Sequence, residues 1–116
     1  MGLSTHILDT SLGKPAANVS VTLSEFRETA AGAFWHEVGT GLTDQDGRCK
    51  TLLGDRGLAA ATDYKLRFEV GAYFHGMHVA SLYPYVDIVF RIVDPFQHYH
   101  IPLLLTANGY TTYRGS

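Results

Sequence analysis

The chain has 116 residues, a formal net charge of −2 and one cysteine, Cys49. This length supports one hydrophobic core but not a second domain with a core of its own, so we expect a single domain spanning 1–116. The 9 lysines and arginines are scattered along the chain. This excludes the basic stripe by which proteins bind nucleic acid or an anionic membrane surface.

The cysteine count and the first residues bear on the compartment. A single thiol cannot form an intramolecular disulfide, which disfavours a disulfide-stapled secreted domain. No stretch approaches 18 consecutive apolar residues, and the first six residues lack the cationic and apolar regions of a signal peptide. We expect no membrane partner and a cytoplasmic location. A periplasmic or peroxisomal location stays open, because a leader could have been removed.

Alternation of apolar and polar residues predicts most of the chain to be strand. The clearest case is 62–70, where Tyr64, Leu66 and Phe68 share one face. Small residues at 29–32 predict a hairpin between the first two strands. Six of the predicted strands can be given bounds, and in chain order they span 18–26, 34–41, 62–70, 85–93, 97–105 and 110–113.

A helix is indicated in one place, residues 72–79. Ala72, Phe74 and Met77 have mixed helical spacings there, and Gly76 weakens the pattern, so we expect one or two turns. Seven or eight short strands with turns at roughly 8–12-residue spacing argue for an all-β antiparallel sandwich or barrel.

Histidines are the first candidates for chemistry. His98 and His100 are two residues apart, so on a strand both project from one face. They could form an acid–base pair, a metal clamp or a solvated polar stripe. Catalytic zinc needs three protein ligands, and no His-Glu-x-x-His motif or cysteine pair accompanies them, so a metal-free site is favoured. A neutral imidazole accepts a proton at neutral pH, but spacing alone does not choose among the six histidines.

Three further residues carry reactive groups. Arg48 directly follows the turn at 44–47 and could reach ligand oxygens, although spacing alone favours a surface ion pair. Cys49 has no activating pattern around it, so a buried structural thiol is expected. Ser116 lacks a Gly-x-Ser-x-Gly elbow and is expected to make a contact at most.

Five motifs together give the chain a family resemblance. They are Leu-Ser-Thr-His-Ile-Leu-Asp at 3–9, Asp-Gly-Arg-Cys at 46–49, Tyr-Pro-Tyr-Val at 83–86, His-Tyr-His-Ile-Pro-Leu-Leu-Leu at 98–105 and Tyr-Thr-Thr-Tyr-Arg-Gly-Ser at 110–116. The chain thereby resembles the 5-hydroxyisourate hydrolases, the transthyretin-related enzymes of urate breakdown. The terminal Tyr-Arg-Gly-Ser is the element that separates these hydrolases from hormone-carrying transthyretins.

The resemblance implies a fold, an assembly and a site. The fold is a transthyretin-like two-sheet antiparallel sandwich of about eight strands with one short helix, and the assembly is a homotetramer built as a dimer of dimers. In the family, catalytic residues line a cleft between dimers. Carried onto this chain, the catalytic residues are His6, Arg48 and His100. The substrate-binding residues are His6 and Arg48 together with two residues of the C-terminus, Tyr113 and Ser116.

The implied reaction is metal-free and needs no cofactor. His100 and His6 position and deprotonate a water that opens the six-membered ring of 5-hydroxyisourate, while Arg48 supplies the countercharge. The product is 2-oxo-4-hydroxy-4-carboxy-5-ureidoimidazoline. The alternative on the same fold is a transthyretin-like carrier of a small ligand. A carrier channel has no need of two histidines and an arginine beside a polar C-terminus, so the sequence favours the enzyme.

Overall fold

The computed structural model describes residues 2–116, so the first residue of the predicted domain lies outside the described part. Within 2–116 the chain forms nine strands and one short helix. The elements are β1 (Gly2–Asp9), β2 (Lys14–Pro15), β3 (Ser20–Thr29), β4 (Gly32–Leu42), β5 (Arg48–Cys49), β6 (Thr62–Phe68), α1 (Val70–Gly76), β7 (Val86–Ile92), β8 (His98–Thr106) and β9 (Gly109–Thr112).

The strands form two sheets. One has the order β4-β3-β6-β7, and the other has the order β2-β1-β8-β9 with β5 also paired to β1. β1 and β8 run parallel over their full paired length, whereas the other strand pairings among residues 2–116 are antiparallel. The all-β two-sheet sandwich expected from the sequence is confirmed.

The six predicted strands correspond to β3, β4, β6, β7, β8 and β9, with ends shifted by a few residues. The hairpin turn is also confirmed, because Thr29 pairs with Gly32. At the end of β6, Val70 begins the helix instead of extending the strand. The helix is the seven-residue α1, and no helix in the described part of the chain is long and apolar enough to cross a membrane.

Residues 2–9, for which apolar alternation predicts no strand, form β1. Alternate residues of this strand are buried, but two of them, Thr5 and Asp9, are polar. Buried and less buried residues therefore alternate along the strand, but apolar and polar residues do not alternate in its sequence. The two buried polar groups have partners: the Thr5 hydroxyl, for example, donates to the Ile101 carbonyl at 2.6 Å.

The hydrophobic core lies between the two sheets. Its wholly buried side chains include Ile7, Leu103 and Leu105 from one sheet and Val21, Leu23, Leu66 and Phe68 from the other. Because side chains alternate across a strand, the odd-numbered positions of β1 and β8 face this core. Their even-numbered positions therefore face outward on one common surface, which we call the outer face of the β1–β8 sheet.

A buried carboxylate joins β1 to α1. Asp9 is 1% exposed; its Oδ1 accepts hydrogen bonds from the Ser11 and Leu12 backbone N–H groups, and its Oδ2 accepts one from the Tyr73 hydroxyl at 2.8 Å. Burial alone would raise the pKa of Asp9, but hydrogen bonds from Ser11, Tyr73 and Leu12 outweigh burial and hold that pKa below its usual value. Asp9 is therefore charged in the fold at neutral pH.

Tyr73→Phe is expected to lower the free energy of unfolding by about 1–3 kcal/mol at neutral pH, since it leaves a buried carboxylate oxygen without a donor. The pKa of Asp9 is lower in the fold than in the unfolded chain. Its stabilisation is therefore present above the unfolded carboxyl pKa of about 3.9 and is lost as pH falls through the lower folded value.

Urea unfolding at neutral pH and at about pH 3 checks this, because the difference between wild type and Tyr73→Phe should shrink in acid. Tyr110→Phe is the matched control. It removes an exposed hydroxyl that makes no hydrogen bond within residues 2–116, and it should change stability by no more than about 0.5 kcal/mol. An equal difference at both pH values would show that the carboxylate is not the source of the stabilisation.

Candidate active site

The pairing of β1 with β5 places His6 beside Arg48. These two residues lie directly opposite each other in the antiparallel register, as do Thr5 and Cys49. Residues opposite each other on one face of such a pair have their Cβ atoms about 4.5–5.5 Å apart. Since His6 lies on the outer face, so does Arg48, whereas Cys49 turns into the core and is 2% exposed. The buried thiol expected for Cys49 is confirmed.

The pairing of β1 with β8 brings in the two other histidines. Ser4 lies opposite His100 in the parallel register, and Gly2 lies opposite His98. The Ser4 Oγ is 2.7 Å from His98 Nε2 and 2.7 Å from His100 Nδ1. The hydroxyl therefore bridges both imidazoles, while the second nitrogen of His100, Nε2, makes no hydrogen bond within residues 2–116.

The guanidinium of Arg48 is not used by the fold. The three ion pairs among residues 2–116 join Arg27 to Glu25, Arg67 to Asp87 and Arg91 to Asp63. In contrast, the Arg48 backbone is fixed: its N–H donates to Asp44 Oδ1 at 3.0 Å, and its carbonyl accepts from the Asp44 N–H at 2.8 Å. The surface ion pair that spacing alone favoured for Arg48 is therefore absent from the described part of the chain. Its exposed side chain remains available for a ligand.

The environment of His100 favours its neutral form. Partial burial lowers the pKa of His100 below its ordinary value, and the nearby Arg48 guanidinium, with smaller contributions from the imidazoles of His6 and His98, lowers it further. A histidine with a lowered pKa keeps its lone pair at neutral pH, as a general base requires.

The C-terminal segment lies along β8 beside this cluster. The Gly115 N–H donates to the His100 carbonyl at 2.8 Å, and the Thr112 hydroxyl donates to the Pro102 carbonyl at 2.8 Å. The Arg114 guanidinium packs over the Tyr99 ring at 4.3 Å. The same group donates to Gln97 Oε1 at 3.0 Å. The end of the chain is thus fastened next to His100.

The two predicted substrate-binding residues from the C-terminus lie outside the strand pairing that sets His6 opposite Arg48. Tyr113 is 56% exposed and Ser116 is exposed, and neither side chain hydrogen-bonds to another residue of 2–116. Both lie within two residues of Gly115, whose backbone N–H donates to the His100 carbonyl. Their contact with substrate stays a prediction.

Gly115→Ala is expected to lower kcat/KM by about 10–100-fold, the scale of a small misplacement of a catalytic group. A Cβ at this position would overlap the His100 ring at Cδ2, so the ring or the terminal segment must move. Gly57→Ala is the matched control, because a Cβ there meets nothing within 4 Å. Full activity in Gly115→Ala, measured alongside unchanged thermal unfolding, would contradict a tight fit between the terminus and His100.

Sequence reasoning missed Ser4 as a member of the cluster. The signal was present, since Ser4 and His6 are two apart, like His98 and His100, and would share a strand face. What the sequence did not show was the register that sets Ser4 opposite His100, a contact between residues 96 positions apart.

Within residues 2–116, no three His, Cys, Asp or Glu side chains form a group that could hold a metal ion.

The similarities to known proteins extend over nearly the full length of the chain. A family model described as the HIUase/Transthyretin family matches residues 3–115. A 5-hydroxyisourate hydrolase from Salmonella dublin is 43% identical over 114 residues, covering 98% of this chain and 80% of the relative. A solved 5-hydroxyisourate hydrolase from Klebsiella pneumoniae is 34% identical with a TM-score of 0.80, covering 98% of both chains. A transthyretin from Sparus aurata is 30% identical with a TM-score of 0.85, covering 97% of this chain and 95% of that one.

Proposed function

This chain belongs to the HIUase/transthyretin family, and from that membership we propose that it hydrolyses 5-hydroxyisourate to 2-oxo-4-hydroxy-4-carboxy-5-ureidoimidazoline in urate breakdown. The hydrolase names of relatives such as the Salmonella dublin and Klebsiella pneumoniae proteins support this proposal. One structural observation carries it: His6, Arg48 and His100 lie on one outer face beside the fastened C-terminus.

The reaction begins with water activation by His100. Its free Nε2 accepts a proton from a water molecule, and the water oxygen bonds to a ring carbonyl carbon of the substrate. The bond between that carbon and the neighbouring ring nitrogen then breaks, and His100 returns the proton to that nitrogen. One water is consumed, the six-membered ring opens, and the carbonyl carbon stays in the product as its carboxyl group. A placed general base of this kind contributes about 10²–10⁴-fold in rate.

Arg48 stabilises the negative charge that develops on the carbonyl oxygen during attack. Its guanidinium has no carboxylate partner among residues 2–116, so its donors are free for that oxygen. A single preorganised donor to an oxyanion contributes about 10²–10³-fold in rate. His6, opposite Arg48 in the register, helps to hold the water and the substrate. Tyr113 and Ser116 complete the binding surface.

The proposed assembly is a homotetramer, a dimer of dimers in which the outer face becomes the wall of a cleft. Large apolar side chains are exposed on the single chain, among them Leu82, Val89, Val93 and Phe96. β7, which carries Val89, is also a free sheet edge. Exposed apolar groups and open strand edges are features that assembly covers. Light scattering coupled to gel filtration measures the mass directly.

The carrier alternative is not favoured. A structure of a sea bream transthyretin in complex with thyroxine resembles this chain, with a TM-score of 0.84, so the fold permits either role. The polar cluster on the outer face distinguishes them, because a carrier of an apolar ligand gains nothing from an arginine and three histidines gathered on one face.

The test is to form 5-hydroxyisourate in place with uricase and follow its decay by ultraviolet absorbance. The wild-type protein should speed the decay well above the spontaneous rate, and a chain ending at Thr112 should lose most of that acceleration because the segment beside His100 is gone. A wild-type protein that is folded and assembled but leaves the spontaneous rate unchanged would refute the proposed function.

A further inference from the structure

His98 lies outside the proposed catalytic set, yet it is connected to it. The Ser4 hydroxyl is the link, at 2.7 Å from His98 Nε2 and 2.7 Å from His100 Nδ1. The three side chains come from two strands whose parallel register sets Ser4 opposite His100. We propose that Ser4 and His98 are positioning residues that hold His100 in the tautomer whose Nε2 is the general base, an inference that rests on the proposed function.

The argument starts from the hydrogen-bonding capacity of one hydroxyl. Ser4 has one O–H to donate and lone pairs with which to accept, so it donates to one imidazole and accepts from the other. Two arrangements are possible. Either Ser4 donates to His98 and accepts from the Nδ1–H of His100, or it donates to His100 and accepts from His98.

The reaction selects between these arrangements. When His100 Nε2 takes a proton from water, His100 becomes an imidazolium and both of its nitrogens must donate. Its Nδ1–H then needs an acceptor, and Ser4 Oγ can serve as one while donating onward to His98 Nε2. The first arrangement therefore suits both the neutral and the protonated base without any hydroxyl reorientation. The second would leave Nδ1 without its proton and place the N–H on Nε2, where the water must be activated.

His98 can end this series of hydrogen bonds because it is exposed. Its own Nδ1 can be satisfied by solvent, so it can present a lone pair at Nε2 to Ser4. The terminal segment also holds this part of β8, since the Arg114 guanidinium donates to the His98 carbonyl at 3.4 Å as well as to Gln97. The His98 backbone is thus fixed while its side chain stays accessible to water.

Several titratable or charged groups surround the linked histidines and must be held constant in any pH measurement. His6, Arg48 and His98 face His100 from β1, β5 and β8. A surface depression of about 480 Å³ adjoins His98, and its charged lining residues are Lys50, Asp55 and Arg56. The Ser4 and Ser20 variants leave all of these groups in place, and the His98 variant removes only His98.

Ser4→Ala should lower kcat by about 10–100-fold with little change in KM, the range seen when a group that orients a histidine is removed. Ser4→Thr, which keeps the hydroxyl, should restore most of the rate. Ser20→Ala is the matched control on the other sheet and should retain wild-type kinetics. A rise in KM with kcat unchanged, or no recovery of the rate in Ser4→Thr, would overturn the positioning role.

A double-mutant cycle distinguishes a linked chain from two independent contacts. If His98 acts on His100 through Ser4, adding His98→Ala to Ser4→Ala should cost no further activity. Multiplied losses in the double variant would overturn the link. His98→Ala alone should shift the acid limb of the kcat/KM profile and leave the folded mass unchanged.

Long-range proton–nitrogen NMR of the histidine side chains tests the inference without substrate. The wild type should show His100 protonated at Nδ1 and His98 unprotonated at Nε2, and Ser4→Ala should shift His100 toward the Nε2–H form. A wild-type His100 protonated mainly at Nε2 would refute the proposal. Because this readout needs no activity, failure of the proposed function and failure of the Ser4 link give different results.

Discussion

His100→Ala should lower kcat/KM for 5-hydroxyisourate by about 10²–10⁴-fold, the contribution of a placed general base. His100 is half-buried and has a free Nε2, and its pKa is lowered first by burial and then by the nearby Arg48 guanidinium. His98 is not placed to take over the proton, since the Ser4 hydroxyl separates it from His100. The measurement is the initial rate of absorbance loss after uricase has consumed all the urate.

His75→Ala is the matched control for this substitution. His75 is exposed in the last turn of α1, outside the cluster, so the same chemical change there should leave kcat/KM at the wild-type value. Circular dichroism and the assembled mass should be unchanged in both variants. A His100→Ala protein with a kcat/KM within threefold of wild type would rule out His100 as the base.

Arg48→Ala should lower kcat by about 10²–10³-fold, the scale for loss of one oxyanion donor. The side chain has no structural partner among residues 2–116, so stability should hardly change and the loss should be chemical. Arg48→Lys should recover only part of the rate, because an ammonium keeps the charge but not the planar fork of donors. The separation of kcat from KM requires a full substrate series.

Arg27→Ala removes an exposed arginine that is paired with Glu25 on the other sheet, and it should be kinetically silent. Two results would contradict the role given to Arg48. One is a rise in KM with kcat unchanged, which would make Arg48 a binding group alone. The other is equal rescue by lysine, which would make charge sufficient.

Much of the fold could be predicted from periodicity, and the exceptions have physical reasons. β6 was clear because Tyr64, Leu66 and Phe68 are apolar and buried at alternate positions. β1 was missed because two of its core positions hold Thr5 and Asp9, whose polar groups are satisfied by contacts far away in sequence. Binary patterning detects apolar burial and is blind to a polar residue buried with its partners.

The candidate site was predictable in part. Spacing alone showed that His98 and His100 share a face, and the family resemblance selected His6, Arg48 and His100. Neither could show that Ser4 bridges the two histidines. That contact depends on the parallel register of β1 and β8, which brings Ser4 next to His98 and His100, 94 and 96 positions away in sequence. Strand register between distant segments is a tertiary property, set by the core as a whole.

The terminal Tyr-Arg-Gly-Ser shows the same division. The family resemblance indicated that this segment is functional, but the sequence did not show how it is held. The structure places Gly115 against His100, Arg114 on the Tyr99 ring and Thr112 on the Pro102 carbonyl. The need for glycine at 115 follows from the proximity of the imidazole ring, which no local pattern encodes.

The most direct test of the account is the rate of 5-hydroxyisourate loss with and without the protein, measured from acid to neutral pH. A neutral His100 acting as base predicts clear acceleration near neutrality. Because its pKa is lowered, kcat/KM should fall only once the pH drops below the ordinary histidine value of about 6.5. An absence of acceleration, or a rate that increases as His100 becomes protonated, would contradict the central claim.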